Sequence, residues 1–139
     1  MKDILIKWFM AFNSFLIRVS GGRLGSKMGT QTILMLHTVG RKSGLKRSIP
    51  IAYFGFEGKY LIVASNWGKD HQADWFLNLR KKSNATIEVK GKSIAVHTRE
   101  AEGEEYTRLW NFATKKHPPY LDYQNMTKRQ IAIVILEPI

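Results

Sequence analysis

The stretch TVGRKSGLKRSIPIAYF, from Thr38 to Phe54, places four cationic side chains and two glycines directly before an apolar segment. Its flanks, residues 32–39 and 49–56, are dense in β-branched and aromatic residues, which is typical of strands. The basic segment between them is therefore predicted to connect a β-hairpin. Gly40 and Gly44 allow such a turn to adopt positive φ or to approach a ligand closely.

The same connection carries the chemistry of an anion site. Consecutive backbone amides in a turn form a concave set of donors. Lys42, Ser43 and Arg47 add further donors, and the arginine fork matches a phosphate or a carboxylate. A phosphate is the simplest ligand for this set. The alternative that the residues leave open is a solvated hairpin tip whose charges keep a sheet edge soluble.

Composition limits the classes of protein. The 139 residues, 44% of them hydrophobic, suffice for one domain with a real core. Residues 1–69 hold eleven Lys or Arg and only two acids, so most of the net charge of +11 lies in the first half. Such a field suits nucleic acid, anionic lipid or a polyanionic small molecule. The absence of cysteine excludes disulfides, thiolate catalysis and Cys-ligated metals, and it is compatible with the cytoplasm.

Residues 1–22 are predicted to form an N-terminal amphipathic helix that ends at two glycines. Lys7 and Arg18 lie opposite a broad apolar face made of Ile4, Leu5, Trp8, Phe12, Phe15, Leu16 and Val19. Because polar residues interrupt the apolar run, we expect no membrane-spanning helix here. The apolar face either packs on the domain's own core or lies at a membrane interface, which would make the protein cytoplasmic and peripheral at the inner face of the membrane.

The remaining pattern predicts an α+β fold. Two further β-rich runs and a hairpin add four strands to the two named above, at residues 59–65, 85–101 and 129–139. Helical patterns cover residues 70–82 and 102–116, and the second helix is stopped by Pro118 and Pro119. About six mainly antiparallel strands with few helices indicate a small closed or partly closed barrel. We expect a single domain over residues 1–139.

Five motifs, in this order along the chain, resemble the deazaflavin-dependent nitroreductase family. They are SGGRLGSKMG (20–29), GRKSG (40–44) with Arg47 and Pro50, IVAS (62–65), WFLNL (75–79) and PPYLDYQNMTKRQIAIVILEP (118–138). The resemblance implies a split β-barrel related to the flavin-mononucleotide-binding barrels. It also implies an oxidoreductase that passes hydride from reduced coenzyme F-420, a deazaflavin, to an organic acceptor such as a quinone, nitro or enone compound. This coenzyme carries a phosphate and an acidic oligoglutamate tail, which the basic loop would hold.

The resemblance also implies which residues form the site. The anion contacts would be Arg41, Lys42, Ser43, Gly44 and Arg47. The deazaflavin ring would be lined by Pro50, Ile51, Ala52, Ala64, Ser65, Asn66, Trp75 and Asn78. Trp75 and Asn78 lie three apart on one helix face, and a buried amide needs hydrogen-bond partners. A core anchor is the alternative role for Trp75.

Tyr120 and Tyr123 match positions that line the acceptor pocket in this family. A phenol supplies both an apolar wall and a proton donor, so both are candidate catalytic residues. Two departures from the family pattern stand out. Asn66 replaces a common lysine, for which Lys69 is a substitute, and His117 replaces a residue that is often aromatic. The identity of the acceptor therefore does not transfer.

Other functions stay open at this level. A related barrel could bind flavin mononucleotide, haem or another tetrapyrrole, or hold a cofactor without turnover. The four histidines show no metal-ligand spacing, so no metal site is expected. Nucleic acid is not an expected partner, because the basic residues concentrate in one hairpin and the aromatics in helices. A homodimer is a further expectation, and peripheral membrane contact would involve residues 1–20.

Overall fold

The structure is a computed structural model that describes residues 27–28 and 31–139. The described strands are β1 (Lys27–Met28), β2 (Gln31–Val39), β3 (Lys46–Phe56), β4 (Lys59–Val63), β5 (Asn84–Val89), β6 (Lys92–Glu100) and β7 (Ile133–Pro138). The helices are α1 (Asp74–Lys81), α2 (Gly103–Lys116) and α3 (Pro119–Asn125). The predicted N-terminal helix, residues 1–22, lies outside the described residues, so its packing stays a prediction.

Six strands close into an antiparallel barrel. The sheet order is β1-β2-β3-β4-β7-β6-β5. An additional pairing of β2 with β5 closes β2 to β7 into the six-stranded barrel, and the two-residue strand β1 pairs with β2. The tight hairpins β3–β4 and β5–β6 turn through two residues each, at Glu57–Gly58 and Lys90–Gly91, all four with positive φ. Such turns match the twist of antiparallel strands. The predicted α+β split barrel is therefore confirmed, and the barrel is closed.

One face of each of the six barrel strands, β2 to β7, fills the barrel. Leu34, Leu36, Ile62 and Leu136 point into this interior and are fully buried, as period-two alternation requires. Helix α1 covers one end of the barrel with Trp75 and with Phe76 and Leu79, which belong to the same core cluster. The end of the barrel near α1 is thus sealed by a helix, while the opposite end is formed by the two tight hairpins.

A second core lies outside the barrel. The outward faces of β4 and β7 contribute Leu61, Val63, Ile133 and Ile135, which pack against α2 and α3. These strands are buried on both faces, which explains why the last segment of the sequence is apolar without alternation. Tyr120 of α3 belongs to this outer core and is 5% exposed.

The elements differ from the sequence predictions mainly at their boundaries. The third predicted strand ends at Val63 rather than at residue 65, and the last begins at Ile133 rather than at residue 129. A 3-10 turn, Asn66–Gly68, precedes α1, which begins at Asp74 rather than at residue 70. Helix α3 was not predicted. Pro118 and Pro119 end α2, as expected, but a proline is also favourable in the first turn of a helix, and a new helix begins there.

Candidate active site

A break in the barrel's hydrogen bonding creates a cleft. Strand β3 pairs with β2 along residues 46–53, but it pairs with β4 only at Phe54, Gly55 and Phe56. Beyond that point β4 pairs only with β7. The free edge of β3, the loop at residues 40–45, the segment at residues 65–75 and helix α3 enclose a cleft of about 960 Å³.

The loop at residues 40–45 is a tight turn. Gly40 N–H donates to Leu45 O at 2.8 Å, and Gly44 N–H donates to Gly40 O at 2.9 Å. A Cβ atom at Gly40 would lie 2.6 Å from Ser43 Oγ, which is closer than real contacts allow. Glycine at this position therefore lets the Ser43 hydroxyl fold over the turn.

The turn exposes a set of anion donors. The backbone N–H groups of Lys42 and Ser43 donate to no other group among the described residues. Ser43 Oγ accepts from Leu45 N–H at 3.2 Å and from Arg47 Nη2 at 3.4 Å, which leaves its own hydrogen free to donate. Lys42 and Lys46 are exposed and form no ion pair within the described part of the chain. Main-chain donors and cations in one turn are the groups that an anion needs as partners.

Arg41 and Asn78 fasten this loop to helix α1. The buried Asn78 amide accepts from Arg41 N–H at 3.1 Å and from Arg41 Nη1 at 3.0 Å through Oδ1. Its Nδ2 donates to Thr38 Oγ1 at 3.2 Å, so the buried amide has the partners that it needs. The Arg41 guanidinium also contacts Asp74 Oδ1 at 3.3 Å. These contacts hold the loop against α1, so Arg41 and Asn78 both help to position the loop.

Arg129 holds the opposite wall of the cleft. Its guanidinium donates to the carbonyl oxygens of Ala64 (3.3 Å), Ser65 (2.8 Å) and Lys69 (3.0 Å). A fourth hydrogen bond reaches Gln72 Oε1 at 3.2 Å. Burial lowers the pKa of Arg129, and the nearby Asp70 charge partly opposes that effect. Sequence reasoning missed this residue. The available signal was an arginine four residues before a buried strand, in a segment from Gln124 to Leu136 that holds no acid.

An aromatic wall completes the cleft. The rings of His117 and Tyr120 lie 4.9 Å apart between centroids, and Tyr120 and Tyr123 lie 6.3 Å apart. Trp67 meets Tyr123 edge to face at 6.3 Å. Desolvation lowers the pKa of His117, so its ring is neutral at neutral pH. The wall is therefore uncharged, and its polar groups are the phenol hydroxyls, the His117 imidazole and the Trp67 indole N–H. Trp67 was not among the predicted site residues.

The cleft brings together thirteen of the fifteen predicted site residues. They are Arg41, Lys42, Ser43, Arg47, Pro50, Ile51, Ala52, Ser65, Asn66, Trp75, Asn78, Tyr120 and Tyr123. Gly44 and Ala64 do not line it, since Gly44 shapes the turn and Ala64 is buried in the barrel core. Trp75 is 9% exposed and belongs to that core as well as lining the cleft, and its contact with a coenzyme ring stays a prediction. Asn66 Nδ2 donates to His71 O at 2.9 Å.

The described residues offer neither a metal site nor a helix that could span a membrane. Within residues 27–28 and 31–139, no group of three or more His, Asp or Glu side chains is arranged to hold a metal ion. Across the same residues, no helix has the length and apolar character needed to cross a membrane.

The fold and the cleft define the class: a split β-barrel with a cofactor-sized site at its seam. The chain belongs to the F420H(2)-dependent quinone reductase family, whose sequence profile matches residues 10–138. An F420H(2)-dependent quinone reductase of Mycobacterium tuberculosis (strain H37Rv) is 32% identical over 123 residues, which cover 86% of this chain and 83% of that protein. The resemblance inferred from the motifs is thereby confirmed.

Solved structures agree with this assignment. An F420-H2 dependent reductase (FDR-A) is 35% identical, with a TM-score of 0.69 over 76% of this chain and 93% of that one. A structure described as a domain-swapped dimer has the same identity and TM-score, and covers 76% of this chain and 79% of its own. Structures described as a putative pyridoxamine 5'-phosphate oxidase of Listeria innocua, a haem storage protein of Vibrio cholerae and a haem-binding protein of Mycobacterium smegmatis are only 8–16% identical, with TM-scores of 0.51–0.54, and they share the fold alone.

Proposed function

We propose that this protein is a reductase that passes hydride from reduced coenzyme F-420 to a quinone. Its family membership supports the coenzyme and the reaction class. The observation that carries the assignment to this cleft is its two-part lining. One end, around Lys42 and Ser43, presents unpaired amides and cations, and the other end, around Tyr120 and Tyr123, is an aromatic wall.

The donor set of the cleft fits the coenzyme. A phosphate and an oligoglutamate tail need several cationic or N–H donors, and the loop offers two amides, the Ser43 hydroxyl and the side chains of Lys42, Lys46 and Arg47. A volume of about 960 Å³ lies at the upper end of the range for cofactor pockets. The ring portion would lie along the free edge of β3, at Pro50, Ile51 and Ala52, facing Ser65, Asn66 and Trp75.

The bound coenzyme supplies the hydride from its own ring. The protein's part is to hold charge and to align reactants. Lys42, Arg47 and the turn amides neutralise the anionic tail, while Arg41 and Asn78 keep the turn in place. Tyr120 and Tyr123, whose rings are tilted by 60° to each other, line the part of the cleft where an acceptor ring packs, and their phenol groups are donors for its oxygen atoms.

The direct test is a fluorescence titration with coenzyme F-420. We expect Lys42→Ala and Arg47→Ala each to weaken binding by about tenfold, since each removes a charge-assisted contact. Lys92→Ala is the matched control, because it removes an exposed lysine from the hairpin at the other end of the barrel. Equal binding by all three variants would place the anion site elsewhere. Parallel titrations with flavin mononucleotide and haem test the two alternative ligands, and a preference for either would overturn the proposed hydride chemistry.

The quinone as acceptor is the finer part of the proposal. It rests on the amphipathic helix predicted from the sequence for residues 1–22, whose apolar face would bring the cleft to a membrane that holds lipid-soluble quinones. Flotation with anionic liposomes compares the full chain with a form that lacks residues 1–20. Binding is expected only for the full chain, and equal binding by both would remove the argument for a membrane-borne acceptor.

We also propose that the protein forms a homodimer. It is supported by the related chain, 35% identical, that is described as a domain-swapped dimer. Light scattering after size-exclusion chromatography should give twice the mass of the 139-residue chain, and a mass of one chain at micromolar concentration would contradict it.

A further inference from the structure

A buried histidine on β2 bridges two neighbouring strands. His37 is 6% exposed, and its Nδ1 atom lies 2.6 Å from Ser48 Oγ on β3. Its Nε2 atom lies 3.0 Å from Glu88 Oε1 on β5. His37 pairs in register with Ser48 and with Thr86, the residue two positions before Glu88 on the same sheet face. Two antiparallel ladders therefore fix the three side chains in one row.

The row connects solvent to the cleft. The Glu88 side chain is 35% exposed, whereas Ser48 lines the cleft described above. Pro50 is the next residue on the same face of β3, about 7 Å further along the strand. A coenzyme ring that lies along Pro50 would thus be beside Ser48, and an acceptor stacked on that ring would have an oxygen atom within reach of the Ser48 hydroxyl.

His37 is a polar residue on a face of β2 that is otherwise apolar from Ile33 onward. Ile33 and Met35 precede it at alternate positions of β2, and both are buried and apolar. A polar ring costs free energy in such a place unless both of its nitrogens are paired. The short contact to Ser48 requires a proton between Nδ1 and Oγ, and a histidine is the side chain that can take up and release protons near neutral pH.

We propose that Glu88, His37 and Ser48 form a proton relay that protonates the reduced acceptor. The inference rests on the proposed function, because reduction of a quinone to a quinol consumes one hydride and one proton. The acceptor gains the hydride from the coenzyme, and its developing oxyanion takes the Ser48 hydroxyl proton. Ser48 Oγ takes the Nδ1 proton of the His37 imidazolium, which becomes neutral beside the Glu88 carboxylate. After the product leaves, water in the cleft returns a proton to Nδ1 through the Ser48 hydroxyl, and the adjacent Glu88 carboxylate favours the imidazolium.

Two electron acceptors distinguish the effect of a variant on proton transfer from its effect on hydride transfer. Menadione needs a hydride and a proton, whereas cationic methylene blue becomes a neutral product when it gains a hydride alone. We expect Ser48→Ala and His37→Asn to lower the ratio of the menadione rate to the methylene blue rate by about a hundredfold, as for loss of a general acid. Ser48→Thr keeps the hydroxyl and should restore the ratio. His97→Asn, a histidine substitution on exposed β6, is the matched control.

The outcomes distinguish the relay from the proposed function. Equal losses with both acceptors, or an unchanged ratio, would overturn the relay while the coenzyme-dependent activity stands. If the wild-type protein reduces neither acceptor with reduced coenzyme F-420, the proposed function fails and the relay fails with it.

A second readout needs no coenzyme. In proton–nitrogen NMR spectra of the ligand-free protein, the Nδ1 proton of His37 should resist exchange with solvent, and Ser48→Ala should abolish that protection. A His37 ring with no proton on Nδ1, or one whose signals do not change in Ser48→Ala, would overturn the relay.

Discussion

The two halves of strand β3 belong to one continuous strand but have different neighbours. Residues 54–56 pair with β4 and place Phe54 and Phe56 against Phe112 of α2. Residues 46–53 have no strand on that side and border the cleft. The half that pairs with β4 contributes to the packing of the domain, and the half without that partner lines the proposed binding site. A gap in a barrel exposes main-chain groups and leaves room for a ligand without loss of the core.

In the cleft wall opposite β3, the carbonyl groups of Ala64, Ser65 and Lys69 have no partner strand there. They accept hydrogen bonds from Arg129 instead. Replacement by Met would leave three carbonyl acceptors without their charged donor, so we expect a loss of about 3 kcal/mol in the free energy of unfolding. Urea denaturation measures it. Lys128→Met removes the neighbouring exposed cation and should cost about 0.5 kcal/mol or less. If both substitutions cost the same, Arg129 does not hold the wall.

Two glycines with the same backbone angle sharpen the comparison. Gly68 in the cleft wall and Gly58 in the β3–β4 hairpin both have φ of 78°. A Cβ at Gly68 would meet Met126 Sδ at 2.9 Å and Tyr123 O at 3.1 Å, whereas one at Gly58 would meet nothing within 4 Å. Alanine should cost about 1 kcal/mol at Gly58, from backbone strain alone, and about 2 kcal/mol at Gly68.

The two glycine variants should also differ in function. Because the added methyl at Gly68 displaces helix α3, Gly68→Ala should raise the KM for the acceptor and change coenzyme affinity little. Gly58→Ala should change neither constant. Steady-state kinetics and a coenzyme titration measure both, and equal effects on the acceptor KM would contradict the assignment of Tyr123 to the acceptor wall.

The smallest expected effect is a pH dependence from His117. Its pKa lies below 6.5 in the folded protein because burial disfavours the charged ring. The folded state therefore binds fewer protons than the unfolded state as pH falls below 6.5, and stability decreases across that window. A charged ring beside Tyr120 should also raise the KM for a neutral quinone by a factor of about two to five. His117→Gln should remove both trends, whereas the exposed control His97→Gln should keep them.

Much of the barrel could be predicted from the sequence because its signals are local. Alternating and β-branched runs marked the six barrel strands, and the glycines with cations at residues 40–47 marked the loop. Helix α3 was not predicted because a pair of prolines is a signal for the end of a helix, although a proline also fits a first helical turn.

The contacts that complete the site are not local. Arg129 contacts Ala64, 65 residues away, and His37 contacts Glu88, 51 residues away. Such contacts depend on strand register and on the path of a loop, which single-residue propensities do not encode. Asn78 was predicted to face the coenzyme, but its hydrogen bonds to Arg41 and Thr38 emerge only from the packing of α1 on the loop.

The central claim is that the coenzyme occupies the free half of β3 and the basic loop. Residue-resolved hydrogen exchange, with and without coenzyme F-420, tests it most directly. We predict that amides in residues 40–53 gain protection on binding, and that those of residues 54–56 and of the β5–β6 hairpin do not change. Protection that is confined to the hairpin end of the barrel, or absent at residues 40–53 while the coenzyme is bound, would contradict the claim.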